Sequence, residues 1–592
     1  MRERVFGIET EYALIYHRGR GERTRPSNLA IYPRFEAALR HRVRSLPAAF
    51  SPLRAKGGCF LENGGSFHYE ATPEHYEHGL LELASPECRD PYVLLEYERA
   101  KDDLVEALAS EVTAELHRAG YTGEVRIGKN NVDSAGHTFG SHESYWVDDP
   151  LSAGRRLAFL PLWLGLWILS LPVVAWVIGA QILVLIGLTL GGLAALGTTL
   201  VLAIARPSAA RRLLAWLERR FARVESLGGL TRNVHRLVAP LYPVLALHSR
   251  LYGRFHFRAL QRALTAHLVT RSVYTGAGAV AFDGGPLFRI AQRPPFLRAV
   301  ARIFPAGDER PIYEMRDLFF RPWSAFQRRR RLHLMIGDAN LCEWSLALRI
   351  GTTALVLEAI ESGVEIDWPE LRDPLAALRE LCCDSRLRGS LELADGGHAT
   401  ALQLQRRYLE GVRRALAESP VPLPIWKARV LRDWEETLTL LERDPEALAD
   451  RVDWIAKRRL VQAEVPDLRD RAALEQRGAA VTGNGTTPSV ADRHLRDVAY
   501  RVWRTDLRYH ELGPRGGFRR LDRAGAVRRL STPERVERAY TEPPVDTRAW
   551  ARGQAIKWAH ARAISGGVAW HRVRVGKLGW RWLRDPLDPH GS

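Results

Sequence analysis

Cysteine is scarce in this chain, five in 592 residues. That excludes a scaffold built on disulfides. Several chemical signatures are missing outright. There is no Walker phosphate loop, no Ser-His-Asp signature, no HExxH zinc motif and no CxxC pair. Cys382 and Cys383 are adjacent, which does not suit paired metal ligation. No repeat or heptad array punctuates the sequence. The most informative absence is charge. From Leu157 to Ala205, 49 positions, there is no charged residue.

What is present sets the rest of the frame. Hydrophobic residues make up 46% and charged residues 26%, enough apolar material for a large core and too much for a disordered chain. Lys and Arg number 86 against 68 acids, a net charge of +18. A basic balance invites a nucleic-acid reading. No recognisable nucleic-acid module supports it, and a basic body tied to an anionic membrane explains the charge as well.

One membrane span needs about 20 apolar residues at 1.5 Å each. The uncharged run therefore suits two spans, 157–180 and 182–205, joined by a turn near Gly179, Gln181 or Gly191-Gly192. A soluble core hairpin is the alternative. Arg155 and Arg156 precede the run, and Arg206, Arg211 and Arg212 follow it. The positive-inside rule puts both flanks, and the remaining body, on the cytoplasmic side of the membrane. The Arg-rich segment 208–223 then lies either on the lipid surface or against the globular body.

The coarse plan is one large α/β domain interrupted by this insertion, followed by a small C-terminal domain. The boundaries fall at 1–150, 151–245, 246–476, a Gly/Thr-rich loop at 477–490, and 491–592. The opening strand, Val5 to Tyr12, alternates so that Glu9 and Glu11 share a face. Acids on an apolar strand are costly unless paired or bound to metal. Glu82, His142 and Glu143 repeat that style, and acids shown from neighbouring strands suit Mg²⁺. Paired surface charges are the competing explanation. Arg316, Arg330 and Arg331 suit a clamp on phosphate or carboxylate, or else a solvated basic face.

Taken in order, these segments resemble the Pup ligase and Pup deamidase/depupylase family, which is related to glutamine synthetase. The resemblance starts at Phe6-Gly7-Ile8-Glu9-Thr10-Glu11-Tyr12. It runs through Asn63-Gly64, Ser85-Pro86-Glu87, Lys129-Asn130-Asn131-Val132-Asp133 and Gly140-Ser141-His142-Glu143-Ser144-Tyr145. It continues at Arg316-Asp317, Arg330-Arg331-Leu332-His333 and Asp453-Trp454-Ile455-Ala456-Lys457. It covers most of the chain outside roughly 150–245.

The resemblance implies a glutamine synthetase-like core, a curved and mostly antiparallel sheet flanked by helices, acting with ATP and Mg²⁺. It implies action on the C-terminal Glu or Gln side chain of a Pup-like tag, with tagged proteins as further partners. By position, Glu9 and Glu82 are the expected metal ligands, Ser85 lies near nucleotide and Trp570 near the adenine. The family's Asn-Gly-x-Arg-x-Tyr-x-Asp reads here Asn63-Gly64-Gly65-Ser66-Phe67-His68-Tyr69-Glu70. Glu70 thus stands where the family has its catalytic aspartate, one methylene longer.

Gly337-Asp338-Ala339-Asn340-Leu341 and Pro543-Pro544-Val545-Asp546-Thr547-Arg548-Ala549 resemble the deamidase side. Asp133-Ser134-Ala135-Gly136 resembles the ligase side. The reading leans to a deamidase/depupylase, with a ligase forming an isopeptide bond to lysine as the alternative. A catalytically weakened membrane scaffold and a small-molecule γ-glutamyl ligase are the remaining readings.

Overall fold

The computed structural model describes residues 4–49, 57–71, 77–133, 137–149, 151–205, 208–209, 239–303, 310–477, 493–576 and 579–591. Most of segment 208–223 and of the loop 477–490 lies outside the described residues.

The opening strand Phe6–His17 is the spine. Its burial alternates as its sequence does, and it pairs antiparallel with three strands: Leu80–Ala84, Glu124–Gly128 and Ser141–Asp148. Around it grows an 11-stranded sheet. On one side it runs through Ser141–Asp148, Arg329–Leu334, Arg310–Glu314 and Leu297–Arg302. On the other it runs through Leu80–Ala84, Ser66–Glu70, Gly58–Leu61 and Ser45–Pro47. Among the described residues every pairing in it is antiparallel except Leu297–Arg302 with Arg310–Glu314. The mostly antiparallel sheet flanked by helices is the fold expected from the sequence.

Helices cover one face. Pro91–Arg118 starts where Asp90 accepts from the Tyr92 N–H and Pro91 fills the first turn. Its apolar stripe, including Leu104, Val105, Leu108 and Val112, packs under the spine's Tyr12 and Leu14. Glu343–Glu361 is buried nearly throughout, the central helix of the largest core cluster. Gly64 takes φ of +85° in the turn between Gly58–Leu61 and Ser66–Glu70, where an added Cβ would meet Ala549.

The uncharged run departs from expectation. It is one continuous helix, Ala153–Ala205, and the backbone at Gly179, Gln181, Gly191 and Gly192 is helical. The expected turn is not there. Single glycines cost a helix only about 1 kcal/mol each, too little to end a run of Leu, Val and Ile. Its stretch Ala153–Leu183 is long and apolar enough to cross a membrane. Only 17% of the most apolar 18-residue window is buried.

The C-terminal segment also differs from expectation, because it is woven into the main body. Glu511–Leu512 pairs with the strand Glu124–Gly128, and Tyr509 and Phe518 enter the core beneath the spine. A small three-stranded sheet, Gly566–Ala569, Arg572–Val575 and Arg581–Trp582, shares its core with Leu46 and Phe60 of the main sheet.

Candidate active site

The sheet's register gathers the site. Glu11 lies opposite Glu82, and Glu82 lies opposite His68 on its other side. Glu9 lies opposite His142, and Ser144 opposite His333. Cross-strand partners share a face, and so do residues two apart. Glu9, Glu11, His68, Glu70, Glu82, His142, Arg331 and His333 therefore converge on the face away from the helix Pro91–Arg118.

Within that face three carboxylates crowd. One oxygen from each of Glu11, Glu70 and Glu82 lies within 4.8 Å of the others. Like charges this close repel unless a cation sits among them. An octahedral Mg²⁺ with oxygens at about 2.1 Å sets its ligands roughly 3–4 Å apart, so small side-chain rotations would close the cluster. The donor set, all carboxylate oxygen, fits that ion. Glu70, the expected catalytic acid, thus lies beside Glu11 and Glu82, the expected metal ligands.

Hydrogen bonds hold Glu11. It accepts from the Gly140 N–H and faces His142 Nε2 at 3.3 Å. Gly140 is required there, since a Cβ would lie 2.0 Å from His142 Nε2. Burial pushes the Glu11 carboxyl up, but His142 and the Gly140 N–H outweigh it, and the acid is held below its ordinary range.

Glu9 lies beside this cluster rather than in it. Its Oε1 accepts from Arg331 Nη2 at 2.8 Å. Burial raises its pKa, and Arg331 and His333 lower it by more, so it stays ionised. Arg331 also touches Asp317 at 3.4 Å and donates from Nε to Ser144 Oγ. Glu314 bonds His333 at 2.7 Å and pairs with Arg316 at 3.3 Å. Burial works against the Glu314 charge, yet His333 and Arg316 hold its pKa at about 2. His333 itself is pushed down, by burial first and then by Arg331. Glu314 and His333 were missed as site residues. The signal was present: His333 is two residues from Arg331 on one strand.

Three expected residues stand elsewhere. Glu143 follows His142 by one position and so points to the opposite face. There it is fully buried, with Arg271 Nη2 at 2.6 Å, Tyr145 OH at 2.7 Å and Arg349 Nε at 3.5 Å. Arg271 and Arg349 hold its pKa down against burial. Its carboxylate is taken up by a buried ion pair on the face away from Glu11, Glu70 and Glu82. Arg330 is displaced for the same reason. It faces away from Arg331, pairs with Asp149 at 3.2 Å and donates to the Ala325 carbonyl. It does not reach a phosphate on the site face. Ser85 is 3% exposed and its Oγ accepts from the Ile8 N–H at 3.0 Å, which joins two strands.

Trp570 sits at the turn of the small C-terminal sheet. Its ring meets Phe60 edge-on at 5.0 Å, and the Arg552 guanidinium stacks over it at 4.7 Å. Arg552 and Arg548 also grip Glu87, whose pKa is held at about 2 although burial alone would raise it. This clasp fixes the C-terminal sheet against the strand that ends in Ala84.

The profile of the Pup-ligase protein family matches residues 4–574. A Pup–protein ligase of Acidimicrobium ferrooxidans is 27% identical over 99% of this chain and 96% of its own length. A Pup deamidase/depupylase of Mycolicibacterium smegmatis is 36% identical, over 51% of this chain and 55% of its own. The ligase PafA, solved in complex with Pup, superposes with a TM-score of 0.66 at 24% identity, over 99% of this chain and 90% of that one. PafA solved with ADP gives 0.59 at 23% identity, over 97% and 93%. The acid-lined sheet face and the match along nearly the whole length agree: this chain belongs to the Pup-ligase family, whose members are ATP-dependent ligases and deamidase/depupylases.

Proposed function

We propose that the protein is an ATP- and Mg²⁺-dependent ligase. It joins the C-terminal glutamate side chain of a Pup-like tag to a lysine of a target protein. It works at the cytoplasmic face of a membrane, anchored by Ala153–Ala205. The observation that carries the ligase reading is length. The Acidimicrobium ligase aligns end to end, whereas the Mycolicibacterium depupylase aligns over half. A deamidase/depupylase is the second reading, favoured by the higher identity within that half.

The chemistry suits this face. A carboxylate is a poor acyl donor until one of its oxygens displaces ADP from the γ-phosphorus. The lysine nitrogen then displaces phosphate from the acyl carbon and gives up a proton. Glu11, Glu70 and Glu82 would hold Mg²⁺, which neutralises phosphoryl charge. Arg331 and Arg316 would orient the phosphoryl oxygens from the opposite side. Glu9, fixed to Arg331, keeps that guanidinium in place. Glu70, one methylene longer than aspartate, brings its carboxylate into the acidic cluster.

Purified full-length protein with ATP, Mg²⁺, a lysine-bearing acceptor and tags ending in Glu or Gln tests this. ADP release that requires both the Glu-ended tag and the acceptor supports the ligase. Ammonia release from the Gln-ended tag, with no conjugate formed, would replace it with the deamidase.

A further inference from the structure

The base of the long helix is not free-standing. Phe159, Trp163 and Ser170 form its buried side, and Ser170 is its last buried residue among those described. They pack on a collar made by the segment Arg316–Phe326 and the helix Leu241–Phe255. Trp163 lies 5.0 Å from Trp323 and 5.2 Å from Phe326, ring to ring. Trp167 lies 5.1 Å from Phe319, and Ser170 Oγ bonds His248 at 3.0 Å.

Yet this collar has an uncovered rim. Trp323 is 71% exposed, and Phe320 and Leu247 are also open. Beyond Ser170 the helix is uncharged and its surface is mostly apolar, with Leu171, Trp176, Ile178 and Leu183 all more than half exposed. From Leu171 to Ala205 it extends about 52 Å at 1.5 Å per residue, more than the roughly 30 Å of a bilayer's hydrocarbon. Trp and aromatic rings at the level where an apolar helix leaves a protein mark the membrane–water boundary.

The same segment borders the catalytic face. Asp317 contacts Arg331, Arg316 pairs with Glu314, and Arg321 reaches His571 beside Trp570. Arg316 and Phe320 are separated by about 6 Å of helix.

We propose that Phe320 and Trp323, backed by the buried Trp163 and the half-buried Trp167, form a belt seated in the lipid headgroup region. The belt holds the carboxylate site at the membrane surface. The proteins served are those whose reacting group lies in a segment bordering the bilayer. This rests on the reading of Ala153–Ala205 as a membrane anchor.

Spin labels in lipid nanodiscs test it on the full chain, with the half-buried Cys59 and Cys383 replaced by serine. Labels enter at Trp323→Cys, at Phe320→Cys and, as anchor control, at Leu183→Cys. Relaxation by oxygen and by a water-soluble nickel chelate reports depth. The expected result places Leu183 in hydrocarbon and positions 320 and 323 at the headgroups. Leu183 in hydrocarbon with 320 and 323 in water overturns the belt while the anchor stands. All three in water overturns the anchor, and the belt with it. Acceptor peptides on lipid anchors with short spacers should be modified about tenfold faster than the same peptides in solution, through raised local concentration. Equal rates would overturn the placement of the site.

Discussion

His142 and Glu143 are neighbours in the chain and opposites in setting. His142 faces the acid-lined side of the sheet, beside Glu11. Glu143 faces the core, locked to Arg271. The two faces carry charge in two different ways. On the buried face every acid named here has its cation: Glu143 with Arg271, Glu98 with Lys101 at 2.6 Å, Asp102 with Lys129 at 2.9 Å. On the site face Glu11, Glu70 and Glu82 crowd together, and the arginine there is engaged by Glu9 and Asp317. Burial tolerates charge only where it cancels. Three carboxylates brought within reach of one another are what a cation-binding surface looks like.

The largest effect should come from breaking a cancelled pair. Glu143→Gln strands the Arg271 guanidinium in a dry core, at a cost of about 3–5 kcal/mol. Thermal unfolding should shift to markedly lower temperature. An unchanged midpoint would mean that the core charges do not depend on each other, and the contrast between the faces would fall.

Glu87 sharpens the point through pH. Its folded pKa of about 2 lies below the ordinary glutamate value of about 4.5. A depressed carboxylate stabilises the folded state above its unfolded pKa. That contribution disappears as pH falls from about 4.5 to 2. It amounts to about 3 kcal/mol at neutral pH. Glu87→Gln should therefore be less stable near pH 7 and should flatten the loss of stability on acidification. Parallel acid limbs for parent and variant would remove Glu87 from the ledger of cancelled charges.

Glu82→Gln attacks the acid cluster instead. Folding should hold, or improve slightly, because one repelling charge is gone. Mg²⁺ dependence should weaken by at least the roughly 10–100-fold that even outer-shell changes cost a metal site. A Mg²⁺ titration of ATP turnover reads this, and an unshifted titration would take Glu82 out of the cation site.

Much of this face was legible in the sequence because strand alternation is a rule of two. It put Glu9 and Glu11 together, as the structure does. The same rule, applied to His142-Glu143 and Arg330-Arg331, would have split each pair. Reading those as blocks placed Glu143 and Arg330 on the wrong side. The cluster of Glu70 with Glu11 and Glu82 was not legible, since it depends on the register between three separate strands. Nor was the long helix's continuity. Glycines that read as a turn are weak against many apolar neighbours of high helix propensity. The woven C-terminal segment escaped for a third reason, because composition does not reveal that Glu511–Leu512 adds to a strand almost four hundred residues earlier.

The smallest expected effect on stability is the one that best separates the two kinds of charge. Arg316 has a side chain 40% exposed and, among the described residues, one ion pair, with Glu314 at 3.3 Å. A pair this open to water contributes about 0–1 kcal/mol. Arg316→Ala should therefore leave the thermal midpoint almost unchanged. If its guanidinium serves the phosphoryl group, kcat for ATP turnover should fall while binding of the tag is kept. Glu143→Gln should behave in the reverse way, with lost stability and no specific change in the fraction that remains folded. Were Arg316→Ala to lower the midpoint as far as Glu143→Gln does, the site face would be another set of structural pairs. The crowding of its three acids would then need an explanation other than a bound cation and a phosphoryl group.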